Sequence, residues 1–217
     1  MAITGSEALP KVTPAPGLDV FYPIVPDLGW LHRIVPLGVR TVQLRLKDAS
    51  DAEVRRQVAA GLDLCRAHAC QLIVNDYWKQ AIEHGADYIH LGQEDLASAD
   101  LAAIRRAGPR LGLSTHSLEE LDIALVAKPD YVALGPIYET KLKAMKWGPQ
   151  GLPRLGEWKA KIGDMPLVGI AGITIERATG VIAAGAQSVA VITDFLAHPE
   201  PEARIRQWLA WAATIRA

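Results

Sequence analysis

Four segments of this chain repeat one pattern, and the repeat restricts the folds open to it more than any other feature. GVRTVQL, GADYIHL, KPDYVAL and GAQSVAV each begin with a turn residue or pair at the end of a helix-like stretch. One or two polar residues follow, and then a β-rich apolar run. Gly38, Gly85 and Gly185 stand where a helix must stop, and the positive φ required there is easiest for glycine. With the runs between these copies, candidate strands fall at 20–25, 41–45, 71–75, 88–91, 110–114, 131–134, 167–170 and 188–192. Amphipathic segments lie between them at 51–69, 78–84, 99–107, 118–127, 152–161 and 175–184, and a last one at 201–216. A strand, a helix and a second parallel strand need a crossover connection. Eight such units predict a closed (β/α)8 barrel of the α/β class. It forms one domain over 18–217, preceded by a Pro-containing flexible tail over 1–17. An open doubly wound sheet is the competing architecture. It would more often carry a glycine-rich fingerprint after strand one, and VFYPIVPDLGW has none.

The totals agree with one such domain. The chain has 217 residues, 50% of them hydrophobic, enough for a substantial buried core. A formal net charge of −1 gives no global field toward nucleic acid or anionic membrane, so anion recognition must be local. No apolar run approaches the roughly 20 residues that span a bilayer, and the N-terminus has no secretory pattern. Cys65 and Cys70 fall at i and i+5 in one expected helix. They read as buried free thiols of a cytoplasmic protein.

In a (β/α)8 barrel, active sites sit at the C-terminal ends of the strands. Polar residues collect there in this chain. Asp76 and Asp95 close neighbouring strands three and four, and two carboxylates suit magnesium completed by phosphate oxygens and water. A helix cap at Asp76 and a turn role for Asp95 are the plainer structural alternatives. Gln43, Arg45 and Lys47 alternate along strand two, so all three side chains face the barrel interior near its mouth. Arg offers a planar fork and Lys a point charge for phosphate oxygens, and Gln suits a heterocycle edge. Asn75 and Ser114 end strands three and five. The long loop after strand six carries Lys141, Lys143 and Lys146. Gly172 and Thr193 follow strands seven and eight, where backbone N–H groups often bind phosphate. His90 lies mid-strand and reads as a hydrogen-bonded core histidine, while His116 suits either a ligand contact or a helix cap.

The strings TVQLRLKD, LIVNDYWKQAIEHGADYIHLGQEDL, GLSTH, YVALGPIYETKLKAMKWGPQGL, GIAGIT and SVAVIT together resemble the thiamine phosphate synthase family, in motif order and from about Asp19 to the C-terminus. The resemblance implies a transferase of thiamine biosynthesis that joins a hydroxymethylpyrimidine pyrophosphate to a thiazole phosphate. Pyrophosphate departs and leaves a pyrimidine-methyl cation. It implies two phosphorylated small molecules as partners and Mg2+ as cofactor, held by Asp76 and Asp95. It assigns the pyrimidine pyrophosphate to Gln43, Leu44, Arg45, Leu46, Lys47, Asn75, Ser114 and Lys143, with Arg45, Lys47, Ser114 and Lys143 nearest the chemistry. It assigns the thiazole phosphate to Thr140, Lys141, Leu142, Gly172, Ile192 and Thr193. The strand-six loop departs from the family pattern, because Glu139 stands where proline is common. A thiazole tautomerase-like relative and a non-catalytic ligand-binding barrel are the competing functions, and neither needs the acids and cations together.

Overall fold

The computed structural model describes residues 9–140 and 147–217. In chain order the elements are β1 (Phe21–Val25), α1 (Leu28–Ile34), β2 (Thr41–Leu44), α2 (Asp51–Ala67), β3 (Gln71–Asn75) and α3 (Trp78–Glu83). Next come β4 (Tyr88–Leu91), α4 (Gln93–Ser98), α5 (Leu101–Ala107), β5 (Arg110–Thr115), α6 (Leu118–Val126) and β6 (Tyr131–Leu134). The chain ends with α7 (Gly151–Ile162), β7 (Leu167–Ile170), α8 (Ile175–Ala183), β8 (Ser188–Val191), α9 (Thr193–Leu196) and α10 (Pro201–Ile215). All eight strands are parallel, each pairs with the next, and β8 closes on β1. The expected closed barrel is the observed one.

Two apolar layers follow from the period of two along each strand. Residues of one parity, such as Val42, Leu44, Leu72, Val74, Ile89 and Leu91, pack outward under the helices. The other parity fills the barrel with Tyr22, Ile24, Ile73, Tyr88, Tyr131, Ala133, Val168 and Ala190. The interior is crowded by aromatics, and one glycine makes that possible. A Cβ on Gly112 would stand 2.1 to 2.5 Å from the Tyr131 ring and hydroxyl.

The differences from expectation are local. Three short helices, α1, α4 and α9, were not predicted, and the segment at 99–107 is helical only from Leu101. Helix α1 owes its start to Asp27, whose carboxylate accepts from the Trp30 N–H at 2.9 Å. Strand β2 stops at Leu44, one residue early, although the Arg45 N–H still donates to the Val25 carbonyl. Cys70 lies beyond the end of α2, not inside it, and both cysteines are buried free thiols. Within the expected tail, residues 9–17 are tied to the barrel's amino end. The Val12 N–H donates to Ile215 O, the Ala217 N–H donates to Val12 O, and Arg110 donates to Pro16 O. Among the described residues no helix is long and apolar enough to cross a membrane.

Candidate active site

The strand ends at the barrel mouth hold backbone in an unusual state. Asp48, Asp76 and Ala171 follow or close β2, β3 and β7 with φ of 53°, 65° and 74°. Left-handed conformations cost non-glycine residues roughly 1 kcal/mol or more and cluster at functional sites. At Asp76 the turn is tight. The Asp76 N–H continues the ladder to His90 O, while Tyr77 N–H folds back on Asn75 O and Trp78 N–H on Asp76 O, each at 2.8 Å. This turn delivers the Asp76 carboxylate to that of Asp95, in the first turn of α4. Burial, then the charge and contact of Asp95, push the Asp76 carboxyl up to about 6, against the opposing pull of Arg45 and Asn75. Two carboxylates this close favour a shared proton or a cation between them. Among the described residues no cluster of three or more His, Cys, Asp or Glu forms a metal cage. A pair of acids suits magnesium completed by phosphate oxygens and water.

Below the acids lies a cavity of about 80 Å³ lined by Gln43, Arg45, Asn75, His90 and Ser114 on one side. Ala133, Val168, Ile170, Ala190 and Ile192 form an apolar wall on the other, with Tyr22 and Ile24 completing the lining. A string of buried polar groups crosses its floor. Gln43 Nε2 donates to the Tyr22 hydroxyl at 2.6 Å, and the Tyr22 and Tyr131 hydroxyls are 2.9 Å apart. His90 Nδ1 meets the Tyr131 hydroxyl at 2.7 Å, and His90 Nε2 meets Ser114 Oγ at 2.8 Å. Burial holds the His90 imidazole down at about 3, helped by the charge of Arg45, so it is neutral. Burial also raises the Tyr22 and Tyr131 phenols, which stay protonated. A larger hollow of about 400 Å³ lies at the opposite end, near Arg40, Cys70 and Gln71. Its principal acid, Asp19, is already paired with Arg216. Chemistry therefore favours the smaller cavity over the larger.

The structure brings together Gln43, Arg45, Asn75, Ser114, Asp76 and Asp95, and Ile192 joins them from the apolar wall. Lys47 does not join them. It was expected to align with Gln43 and Arg45, but β2 ends first and Lys47 is exposed beyond the cavity. The side chains of Leu44 and Leu46 pack in the outer core, so only their backbone could meet a ligand. Thr140 and Gly172 are half-buried and Thr193 is exposed as the first residue of α9. Gly172 packs so tightly that a Cβ would lie 2.6 Å from Glu139 O. Arg177 donates to Gly172 O at 2.8 Å and sits over the Tyr138 ring, tying the β6 and β7 loops together. Lys141, Leu142, Lys143 and Lys146 lie outside the described residues. His116 precedes the cap of α6 and pairs with Glu120. Glu120 accepts from its N–H and ring, while Ser117 caps α6. Sequence reading missed Tyr22 and Tyr131 as site residues and placed His90 only in the core. Their shared interior parity with Gln43 and Ser114 was the available signal.

Fold and mouth together define a (β/α)8 barrel with paired acids beside a guanidinium at the C-terminal strand ends. Comparison with known proteins specifies the class further. Residues 22–195 match the family described as thiamine monophosphate synthase, and the chain belongs to that family. It is 58% identical over 199 residues to the thiamine-phosphate synthase of Rhizobium etli, covering 92% of this chain and 98% of that one. It is 45% identical over 203 residues to that of Klebsiella pneumoniae, covering 94% and 96%. The fold also matches thiamine phosphate pyrophosphorylase from Pyrococcus furiosus with a TM-score of 0.77 at 22% identity, over 89% of this chain and 95% of that one.

Proposed function

We propose that this chain condenses 4-amino-2-methyl-5-hydroxymethylpyrimidine pyrophosphate with 4-methyl-5-hydroxyethylthiazole phosphate, giving thiamine phosphate and pyrophosphate. The observation that carries the proposal is the Asp76–Asp95 pair beside Arg45, at the mouth of a cavity with one polar and one apolar side. Asp76 and Asp95 would hold Mg2+. When bound, the ion would offset charge building on the departing pyrophosphate. A tautomerase-like or silent barrel has no use for that pair.

The steps ask little of side-chain chemistry. The bond between the pyrimidine methylene carbon and the pyrophosphate oxygen breaks, and its electrons leave with the pyrophosphate. The thiazole nitrogen then gives its lone pair to the methylene carbon, and the positive charge ends on the thiazolium ring. Arg45, Asn75, Lys47 and Lys143 would grip the pyrophosphate oxygens. Gln43 and Ser114 would orient the pyrimidine edge. The wall formed by Ala133, Val168, Ile170, Ala190 and Ile192 keeps water from the methylene cation between the two steps. Thr140, Lys141, Leu142, Gly172, Ile192 and Thr193 would receive the thiazole phosphate. Positioning and electrostatics supply the rate, and no nucleophilic side chain is needed.

The test is a two-substrate assay on purified protein, reading thiamine phosphate by chromatography and pyrophosphate by a coupled assay. Product is expected with Mg2+ and is abolished by chelator until the ion is restored. Absence of product with Mg2+ would refute the activity, and full turnover in chelator would refute the metal.

A further inference from the structure

We infer that Gln43, Tyr22, Tyr131, His90 and Ser114 form one directional hydrogen-bond chain across the barrel, in which His90 is a positioning residue. The chain makes Ser114 a donor to the bound ligand and leaves the Gln43 carbonyl as an acceptor. This deepens the proposed function and relies on it only for the identity of the ligand.

The direction follows from the Gln43 amide, which presents Nε2 to Tyr22, and from counting hydrogens along the rest of the chain. Tyr22 receives one from Gln43 Nε2, so its own phenolic hydrogen goes to Tyr131, 2.9 Å away. Tyr131 has a single hydrogen too, and its remaining partner is His90 Nδ1 at 2.7 Å. A neutral imidazole that accepts at Nδ1 carries its hydrogen on Nε2. That hydrogen is donated to Ser114 Oγ at 2.8 Å. The Ser114 hydroxyl hydrogen then has no side-chain partner among the described residues and is left for the cavity that Ser114 lines. Reversing any one link sets two hydrogens against each other or strands a phenol hydrogen inside the barrel, where an unmatched donor is expensive. Only complete reversal, with the Gln43 amide turned over, satisfies every group. In that arrangement the Gln43 carbonyl is used by Tyr22 and Ser114 can only accept.

The two ends of the cavity are thus coupled through four hydrogen bonds. In this direction they suit a flat aminoheterocycle that shows an amino hydrogen to Gln43 and an acceptor to Ser114. An analogue with oxygen in place of that amino group meets the Gln43 carbonyl with a second acceptor and is rejected. Tyr131 decides the tautomer, and the tautomer decides what Ser114 offers. Gly112 is part of the same device, because any larger residue would displace the Tyr131 ring.

Nitrogen-15 NMR of histidine-labelled, ligand-free protein reads the tautomer whether or not the protein turns over the proposed substrates. The His90 resonance is assigned by its loss in His90→Gln or, should that variant not fold, by its displacement in Ser114→Ala. The Nε2–H form is expected in the wild type, and Tyr131→Phe, which keeps the ring but cannot donate to Nδ1, should move the unprotonated Nδ1 resonance to the shift of an imidazole nitrogen with no hydrogen bond. In turnover assays Tyr131→Phe should raise KM for the pyrimidine substrate by about tenfold, the effect of one hydrogen bond. KM for the thiazole substrate should stay unchanged. His90→Gln, which can still accept from Tyr131 and donate to Ser114, should retain more activity than His90→Leu. A wild-type Nδ1–H tautomer, or a His90 Nδ1 resonance indifferent to Tyr131→Phe, would overturn the inference. Inactive protein with the expected NMR behaviour would instead refute the proposed reaction and leave the chain standing.

Discussion

The barrel places an acid at each rim, and the two are treated in opposite ways. At the amino end Asp19 is buried just before β1 and accepts two hydrogen bonds from the Arg216 guanidinium, one of them from Nε at 2.8 Å. Its backbone is equally engaged, with its N–H donating to Thr41 Oγ1 and its carbonyl accepting from Ser188 Oγ. At the carboxyl end Asp76 has another acid, Asp95, for a partner, and its carboxyl rises to about 6. One acid is matched by the protein itself, and the other is only partly offset, by Arg45 and Asn75. The lesson is the division of labour expected of this fold, with stability at the bottom of the barrel and chemistry at the top.

The sharpest way to break the comparison is to remove Asp19. Asp19→Ala leaves the Arg216 charge half-buried and unpaired, which should cost about 3 kcal/mol of unfolding free energy in urea titrations. Turnover per folded molecule should change less than about twofold, because the residue sits at the other end of the barrel. The mirror experiment is Asp76→Ala. It should lower kcat about a hundredfold, the usual scale for losing a charge-stabilising group, with no loss in melting temperature. If both variants lost stability and neither lost activity, the contrast between the rims would be wrong.

Two smaller effects sharpen it. Gly112→Ala places a methyl group against the Tyr131 ring in the layer between the rims. Overpacking there should cost about 2 kcal/mol, measured by thermal or urea unfolding, and should disturb the Ser114 end of the cavity. The last prediction concerns pH. The Asp76 carboxyl rises in the folded protein from its ordinary 3.8 to about 6. The folded state therefore prefers the protonated form. Stability falls as pH rises from about 4 to about 6, and the full penalty remains above that range. Asp76→Asn removes the penalty. After discounting for a half-exposed group, it should stabilise metal-free protein by about 1 kcal/mol at pH 8 and by almost nothing at pH 4. Urea titrations at the two pH values check the sign, and Mg2+ should narrow the gap at pH 8.

Much of this was legible in the chain. The repeat with Gly38, Gly85 and Gly185 announced the helix stops, and all three have positive φ. Asp76 and Asp95, just past strands three and four, were visible because strand ends are marked by where an apolar run stops, although Asp95 lies in the first turn of α4. Lys47 stands outside the cavity lining because the alternation of Gln43 and Arg45 ends where the chain leaves the sheet after Leu44. Helix α4 was missed because GQEDLAS is short and lacks a side-chain cap on its preceding glycine. The role of His90 was half seen. A core histidine was expected, but its ring bridges Tyr131 and Ser114, residues 41 and 24 positions away. His116, only two residues from Ser114 in sequence, turns to Glu120 instead.

By itself the sequence determined the order of strands and helices, the parity of each strand and the polar residues at its end. These depend on neighbours within a few positions, through side-chain periodicity and the preferences of turns. Only the tertiary structure decided which interior residues meet. Tyr22 and Tyr131 touch across 109 residues because the closed sheet sets the register of β1, β4, β5 and β6 around one shared interior. A local pattern can say that a side chain faces inward. Closure and register decide what it finds there.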